Sequence, residues 1–171
     1  MADEVKIAAQ QEKPFEENVI KVFRCAKVVK GGRRFGFAAM VAVGNCDGTV
    51  GIGYGKAKEV PMAVEKAMKD ARKSLNEISL DGLTIPHQVI GRFGATKITL
   101  IPASPGTGVI AGSGARAVLE LAGVHNVLTK VYGSTTIKNV VKATLDGLLK
   151  LRGRDEIAAL RGVEIEPVKR W

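Results

Sequence analysis

Only two cysteines, Cys25 and Cys46, occur in 171 residues. They lack CxxC spacing and sit in apolar, strand-like stretches. They read as reduced core thiols, which excludes a disulfide framework. The only histidines, His87 and His125, have no ligand-like neighbours, so no metal centre and no nucleophile triad is expected. Aromatic residues make up 5% of the chain, too few for a broad base-stacking platform, although Tyr54 and Trp171 are available for stacking. No apolar run reaches membrane-spanning length, so no membrane partner is expected. The opening "MADEVKIAAQQEKPFEEN" lacks a basic segment followed by an apolar one, so the reading is cytoplasmic, without a secretory signal.

The most informative shortage is of acid. Asn18 to Gly36 contains no Asp or Glu, yet holds Lys21, Arg24, Lys27, Lys30, Arg33 and Arg34. The formal net charge is +9, and residues 1–17 are by contrast acidic. Unneutralised cations gathered in one segment point to an anionic polymer as partner. A second shortage lies further on. From Leu83 to Tyr132 the only acid is Glu120. Phosphoryl transfer needs a positioned base or a metal-binding carboxylate, so this stretch does not read as an enzyme.

What is present is patterned. Residues 1–17 are polar and aperiodic, the composition of a flexible tail. Residues from Val19 to Lys30 are β-rich. Phe35, Phe37, Ala39, Val41 and Val43 alternate with Gly36, Ala38, Met40 and Ala42. Asp47-Gly48 marks a turn, and "TVGIGYG" alternates again. Pro61 near a first turn and apolar residues Val60, Val64, Ala67, Met68, Ala71, Leu75 and Ile78 predict a helix reaching residue 78. After the junction "SLDGL" come strand patterns at 83–92 and 96–102. A glycine-rich segment then leads into a helix closed by Gly123. A strand over "NVLTKVYG" and a helix ending at Gly153 complete this part, and the tail allows one short helix. The expected fold is α+β, a β-β-β-α unit over 18–81 and a β-β-α-β-α unit over 82–153, with an extension over 154–171.

Two glycine loops invite a phosphate reading. "GIGYGK" fails the Walker A spacing, because Val50 stands where glycine is needed and Ala57 follows Lys56. A strand whose glycine face admits another backbone fits better. "PGTGVIAGSGA" looks like the phosphate loop of small-molecule kinases related to galactokinase and homoserine kinase. Its glycines can expose amides at a helix start, which suits a nucleic-acid phosphate even without catalysis.

The stretches "KVVKGGRRFGFAAMVAVGN", "DGTVGIGYGKAKEVPMAVEKA", "PASPGTGVIAGSGARAVLELAGVHNVLTKVYGST" and "NVVKATLDGL" occur in the order seen in the bacterial small-subunit ribosomal protein five family, which the chain resembles over about residues 18 to 152. The resemblance implies a double-stranded-RNA-binding-like first domain and a second domain shared with those kinases, without kinase activity. It implies binding of 16S ribosomal RNA at the body–head junction, contacts with the fourth and eighth small-subunit proteins, proximity to the messenger RNA entry path, and an influence on decoding accuracy. No cofactor and no small-molecule substrate follow from it. The expected RNA-binding residues are Lys21, Arg24, Lys27, Lys30, Gly31, Gly32, Arg33, Arg34, Phe35, Tyr54, Lys56 and Lys58. Gly106, Thr107, Gly108 and Arg116 are expected at a protein interface or an RNA contact. Arg116 opposes its own helix dipole, so its anion should lie outside the domain.

Overall fold

The computed structural model describes residues 14–163. Trp171 and most of the acidic tail lie outside that range. Two four-stranded sheets form the frame. The first contains β1 (Glu16–Val29), β2 (Gly32–Gly44), β3 (Thr49–Ala57) and, beyond helix α1 (Val60–Lys73), the short β4 (Leu75–Glu77). The second contains β5 (Val89–Phe93), β6 (Thr96–Pro102), β7 (Val109–Ile110) and β8 (Val127–Gly133), with α2 (Ser113–Leu121), α3 (Ile137–Leu149) and α4 (Arg154–Arg161). The fold is α+β, as expected. All pairs are antiparallel except β7 with β8.

Several details differ from the sequence reading, among them β7, a short strand inside the glycine-rich segment that was expected to run straight into a helix. β1 begins at Glu16, inside the segment assigned to the tail, and Glu17 there pairs with Arg72 at 2.7 Å. Helix α1 stops at Lys73 instead of reaching Ile78. Ser74 caps it, and Leu75–Glu77 turns back to pair with β3. The strand expected from residue 83 starts only at Val89, because Pro86 has no N–H to give a ladder. Finally, the thiols are not core groups: Cys25 is exposed and Cys46 half-buried.

The layers stack as α1, first sheet, the α2–α3 pair, second sheet. The inner part of the first sheet, from Ala38 of β2 across to β3, is buried on both faces. On one, Ala39, Val41 and Val43 meet Ala63, Ala67 and Ala71 of α1. The alanines recur every four residues, which places them on one helical stripe. They are small because β3 presents Gly51, Gly53 and Gly55 to them. A Cβ on Gly53 would lie 2.0 Å from the Ala67 carbonyl oxygen, so the strand touches the helix backbone itself. This is the close approach that the glycine spacing predicted. On the other face Met40, Ala42 and Val50 join Val118, Leu119 and Leu121 in a core shared with the second sheet. The Asn45–Gly48 turn seals that junction. Cys46 and Gly48 donate their N–H groups to the carbonyls of Leu121 and Ala122 at 3.0 and 2.9 Å. Those carbonyls at the end of α2 have no partner within the helix.

Candidate nucleic-acid interface

The β1–β2 hairpin outruns the rest of its sheet. β3 ends opposite Phe37, while β2 continues outward to Gly32 with β1 alone beside it. Val29 pairs with Gly32, leaving Lys30 and Gly31 as the two turn residues. Gly31 takes φ 87°, whereas Lys30 stays out of the left-handed region. That is the pattern of a type II turn, whose second central residue calls for glycine. A Cβ at Gly31 would meet nothing within 4 Å. Backbone conformation, not crowding, therefore selects glycine there.

Alternation divides the cations between two faces, because cross-strand partners share a face. Lys27 and Arg34 are partners, and Phe23 pairs with Ala38 and Lys21 with Met40. These six residues share the face that farther down covers the inter-sheet core. Lys56, opposite Ala38, joins them. Arg24, Arg33 and Phe35 point the other way, and the Arg24 guanidinium lies 3.8 Å over the Phe35 ring. Lys21, Arg24, Lys27, Lys30, Arg33, Arg34, Lys56 and Lys58 are all exposed. Among the described residues no carboxylate forms an ion pair with any of them. The cations are brought together with their charge unspent.

Tyr54, grouped by sequence with the RNA-binding residues, is less exposed than those cations. It is half-buried in the seam between the sheets. Its hydroxyl accepts a hydrogen bond from Lys138 Nζ at 2.6 Å, and the same ammonium lies 3.9 Å over its ring and 5.0 Å over Phe23. Lys138, from α3, was missed by sequence reasoning. With Lys142, which lies 4.8 Å over Phe93, it forms an i, i+4 basic pair. That spacing was visible in the sequence. The direction of the helix face was not.

The second glycine loop is held from within. Gly106 and Gly108 both have positive φ, and both donate their N–H groups to Asn126 Oδ1 at 3.1 Å. Asn126 is itself buried. Thr107 donates its N–H to Ser104 O at 3.2 Å. These amides are committed to the protein and do not face a phosphate. Arg116 stands exposed on α2, without a carboxylate partner among the described residues. Among the described residues no group of His, Cys, Asp or Glu is arranged to hold a metal ion, and no helix is long and apolar enough to cross a membrane.

Comparison with known proteins gives a consistent result. A family model for the N-terminal domain of ribosomal protein S5 matches residues 15–79, and one for its C-terminal domain matches residues 91–161. The small ribosomal subunit protein uS5 of Rhodopirellula baltica is 58% identical over 147 residues, covering 86% of this chain and 83% of that protein. The uS5 proteins of Syntrophobacter fumaroxidans and Shewanella oneidensis are 53% and 49% identical. These matches cover 90% and 96% of this chain, and 92% and 98% of the respective relatives.

Proposed function

The chain belongs to the ribosomal protein S5 family, and from that premise we propose that it is a structural, non-catalytic constituent of the small ribosomal subunit that binds 16S ribosomal RNA through the β1–β2 hairpin and the start of α1. The observation that carries this reading is the projecting hairpin with exposed, unpaired cations on both faces. A duplex or folded RNA offers phosphates at regular intervals, and such contacts position a protein without reading sequence. Lys56 and Lys58 lead into α1, whose first turn contains no acid. Glu59 is its N-cap, but Lys56 and Lys58 remain exposed, and cations at a helix start suit the backbone of an A-form helix. The test is sedimentation of cell extract with hydroxyl-radical footprinting of the subunit. The chain should travel with small subunits and protect 16S RNA at the body–head junction. A free chain, or protection elsewhere only, would refute the assignment.

We further propose that the second domain faces protein neighbours, the fourth and eighth small-subunit proteins, near the messenger RNA entry path. Two features support a protein contact over a phosphate one. The amides of the Gly106–Gly108 loop are already bonded. Next to it Ile101, Leu128 and Ile110 form an exposed apolar row across three strands. Arg116 would then pair with a carboxylate across an interface that opens during decoding. A contact worth one or two kcal/mol, about the size of typical allosteric coupling, suffices to bias such an equilibrium. Arg116→Leu should leave assembly intact and raise misreading of a near-cognate codon in a reporter. Parental error rates in ribosomes that contain the variant would remove the control role.

A further inference from the structure

Where β3 stops and β2 runs on, the sheet leaves a notch, and the first turns of α1 close its other side. The result is a cavity of about 740 Å³. That lies within the roughly 300–1,000 Å³ of clefts that enclose small ligands. Its rim is cationic. Lys27 and Arg34 come from the hairpin, Lys56 and Lys58 from the end of β3 and the turn after it, and Lys66 from α1. None of the residues that line it is acidic. Its interior contrasts with the rim: Phe35, Phe37 and Met62 line it, and Phe35 and Met62 are 52% and 53% exposed. Exposed apolar side chains bordered by cations, Lys58 and Lys66 beside α1 and Lys27, Arg34 and Lys56 lining the open edge of β2 from the face opposite Phe35, call for a ligand that is flat, apolar and anionic at once.

We propose that this notch holds a single unpaired nucleotide of the bound RNA, its base against Phe35 and Met62 and its flanking phosphates on the lysine rim. The proposal rests on the RNA-binding reading above and adds a mode of recognition to it. A perfectly paired helix keeps its bases stacked and offers the notch only phosphates, which the rim alone would satisfy. A bulged or looped base can leave its stack and lie on an aromatic or guanidinium surface. The Arg24–Phe35 stack at 3.8 Å holds such a surface in place before RNA arrives. An acidic peptide would match the charge but would leave the apolar interior to a single side chain.

The experiment uses the full chain and two RNAs of equal length, a perfectly paired duplex and the same duplex with one bulged uridine. Binding is followed by anisotropy at fixed salt. The bulged RNA should bind about tenfold tighter, near the low end of base–aromatic stacking. Met62→Ala, an exposed helical position, should bring the two RNAs to within about twofold of each other. A second readout is independent of affinity. Cys25 is exposed and lines the notch. In a Cys46→Ser background its alkylation should slow several-fold more with saturating bulged RNA than with the saturating paired duplex. Equal affinities together with equal alkylation would overturn the nucleotide pocket and leave the phosphate-binding hairpin standing. Failure of both RNAs to bind would overturn the pocket and the RNA reading together. Stronger protection of Cys25 by an acidic, aromatic-containing peptide than by bulged RNA would give the notch to a protein partner and also overturn the proposal.

Discussion

One strand, β2, behaves as two. Its inner residues, Ala38 to Val43, are at most 1% exposed, although they alternate between faces. Its outer residues, Gly32 to Phe35, are exposed on both faces. The inner half contains no charge and is packed between α1 and α2. The outer half contains Arg33 and Arg34 and has β1 for its only neighbour. Burial is concentrated in the inner half, and exposed positive charge in the outer half. A cation in the inner half would be desolvated without a partner. An apolar outer half would have nothing to offer a phosphate.

The sharpest way to break that division is to disturb the inner half. Gly53→Val would set a side chain against the backbone of α1, where even a Cβ falls 2.0 Å from Ala67 O. The loss should be about 3 kcal/mol or more, since neither strand nor helix backbone can yield cheaply. Urea unfolding measures it, and an unchanged midpoint would show that the two backbones are not held in contact.

The outer half should respond in the opposite sense. Replacing Lys30, Arg33 and Arg34 together by Ala should leave the unfolding midpoint within about 0.5 kcal/mol of the parent. RNA affinity should fall, and the logarithmic salt slope should shrink by about one for each phosphate that the tip no longer neutralises. An RNA titration across several salt concentrations reads both. An unaltered slope would mean that the tip touches no phosphate.

Smaller effects sharpen the border between the halves. Tyr54→Phe removes the acceptor for Lys138 Nζ at 2.6 Å but keeps the ring beneath the ammonium. The expected cost is about 1 kcal/mol, typical of one intramolecular hydrogen bond. A thermal melt with no shift would assign the seam to the cation–ring contact alone.

The smallest effect lies far from the hairpin, at Asp146 on α3. Burial pushes its carboxyl up, but the hydrogen bond from Lys150, that from the Arg92 backbone N–H and the Lys150 charge together hold it below the ordinary aspartate value of 3.8. A depressed folded value means that the carboxylate stabilises the fold above about pH 3.8 and that this contribution fades as pH falls through the lower folded value. The group is over a third open to solvent, so screening keeps the effect under about 1 kcal/mol. Asp146→Asn should be slightly less stable at neutral pH and should converge with the parent in acid. Parallel curves down to pH 2 would remove Asp146 from the acid response.

Much of this was legible from residue order. The period-two alternation of β2, the acid-free span from Asn18 to Gly36 and the glycines facing one way from β3 are local patterns, and local patterns follow from backbone geometry. The end of α1 was not legible. Leu75 and Ile78 continue the helical spacing, yet Leu75 pairs with Gly51 in the sheet and Ile78 enters the inter-sheet core. A free strand edge and a large core outweighed one more helical turn. Ala63, the first of the three alanines against the glycine row, was overlooked because its importance comes from what opposes it.

The site divides along the same line. Sequence alone pointed to a cationic, acid-free hairpin turning at the Gly31–Gly32 pair, one residue past the observed Lys30–Gly31 turn, and to the order of motifs of its family. These rest on charge, φ and the alternation of neighbouring residues, which are properties of adjacent positions. Only the tertiary structure decided where those side chains go. It set Tyr54 beneath Lys138 from 84 residues away, committed the Gly106 and Gly108 amides to Asn126, and brought Met62 and Lys66 beside Phe35 to make the notch. Those outcomes depend on which faces the layers bury against each other, and no window of adjacent residues contains that information.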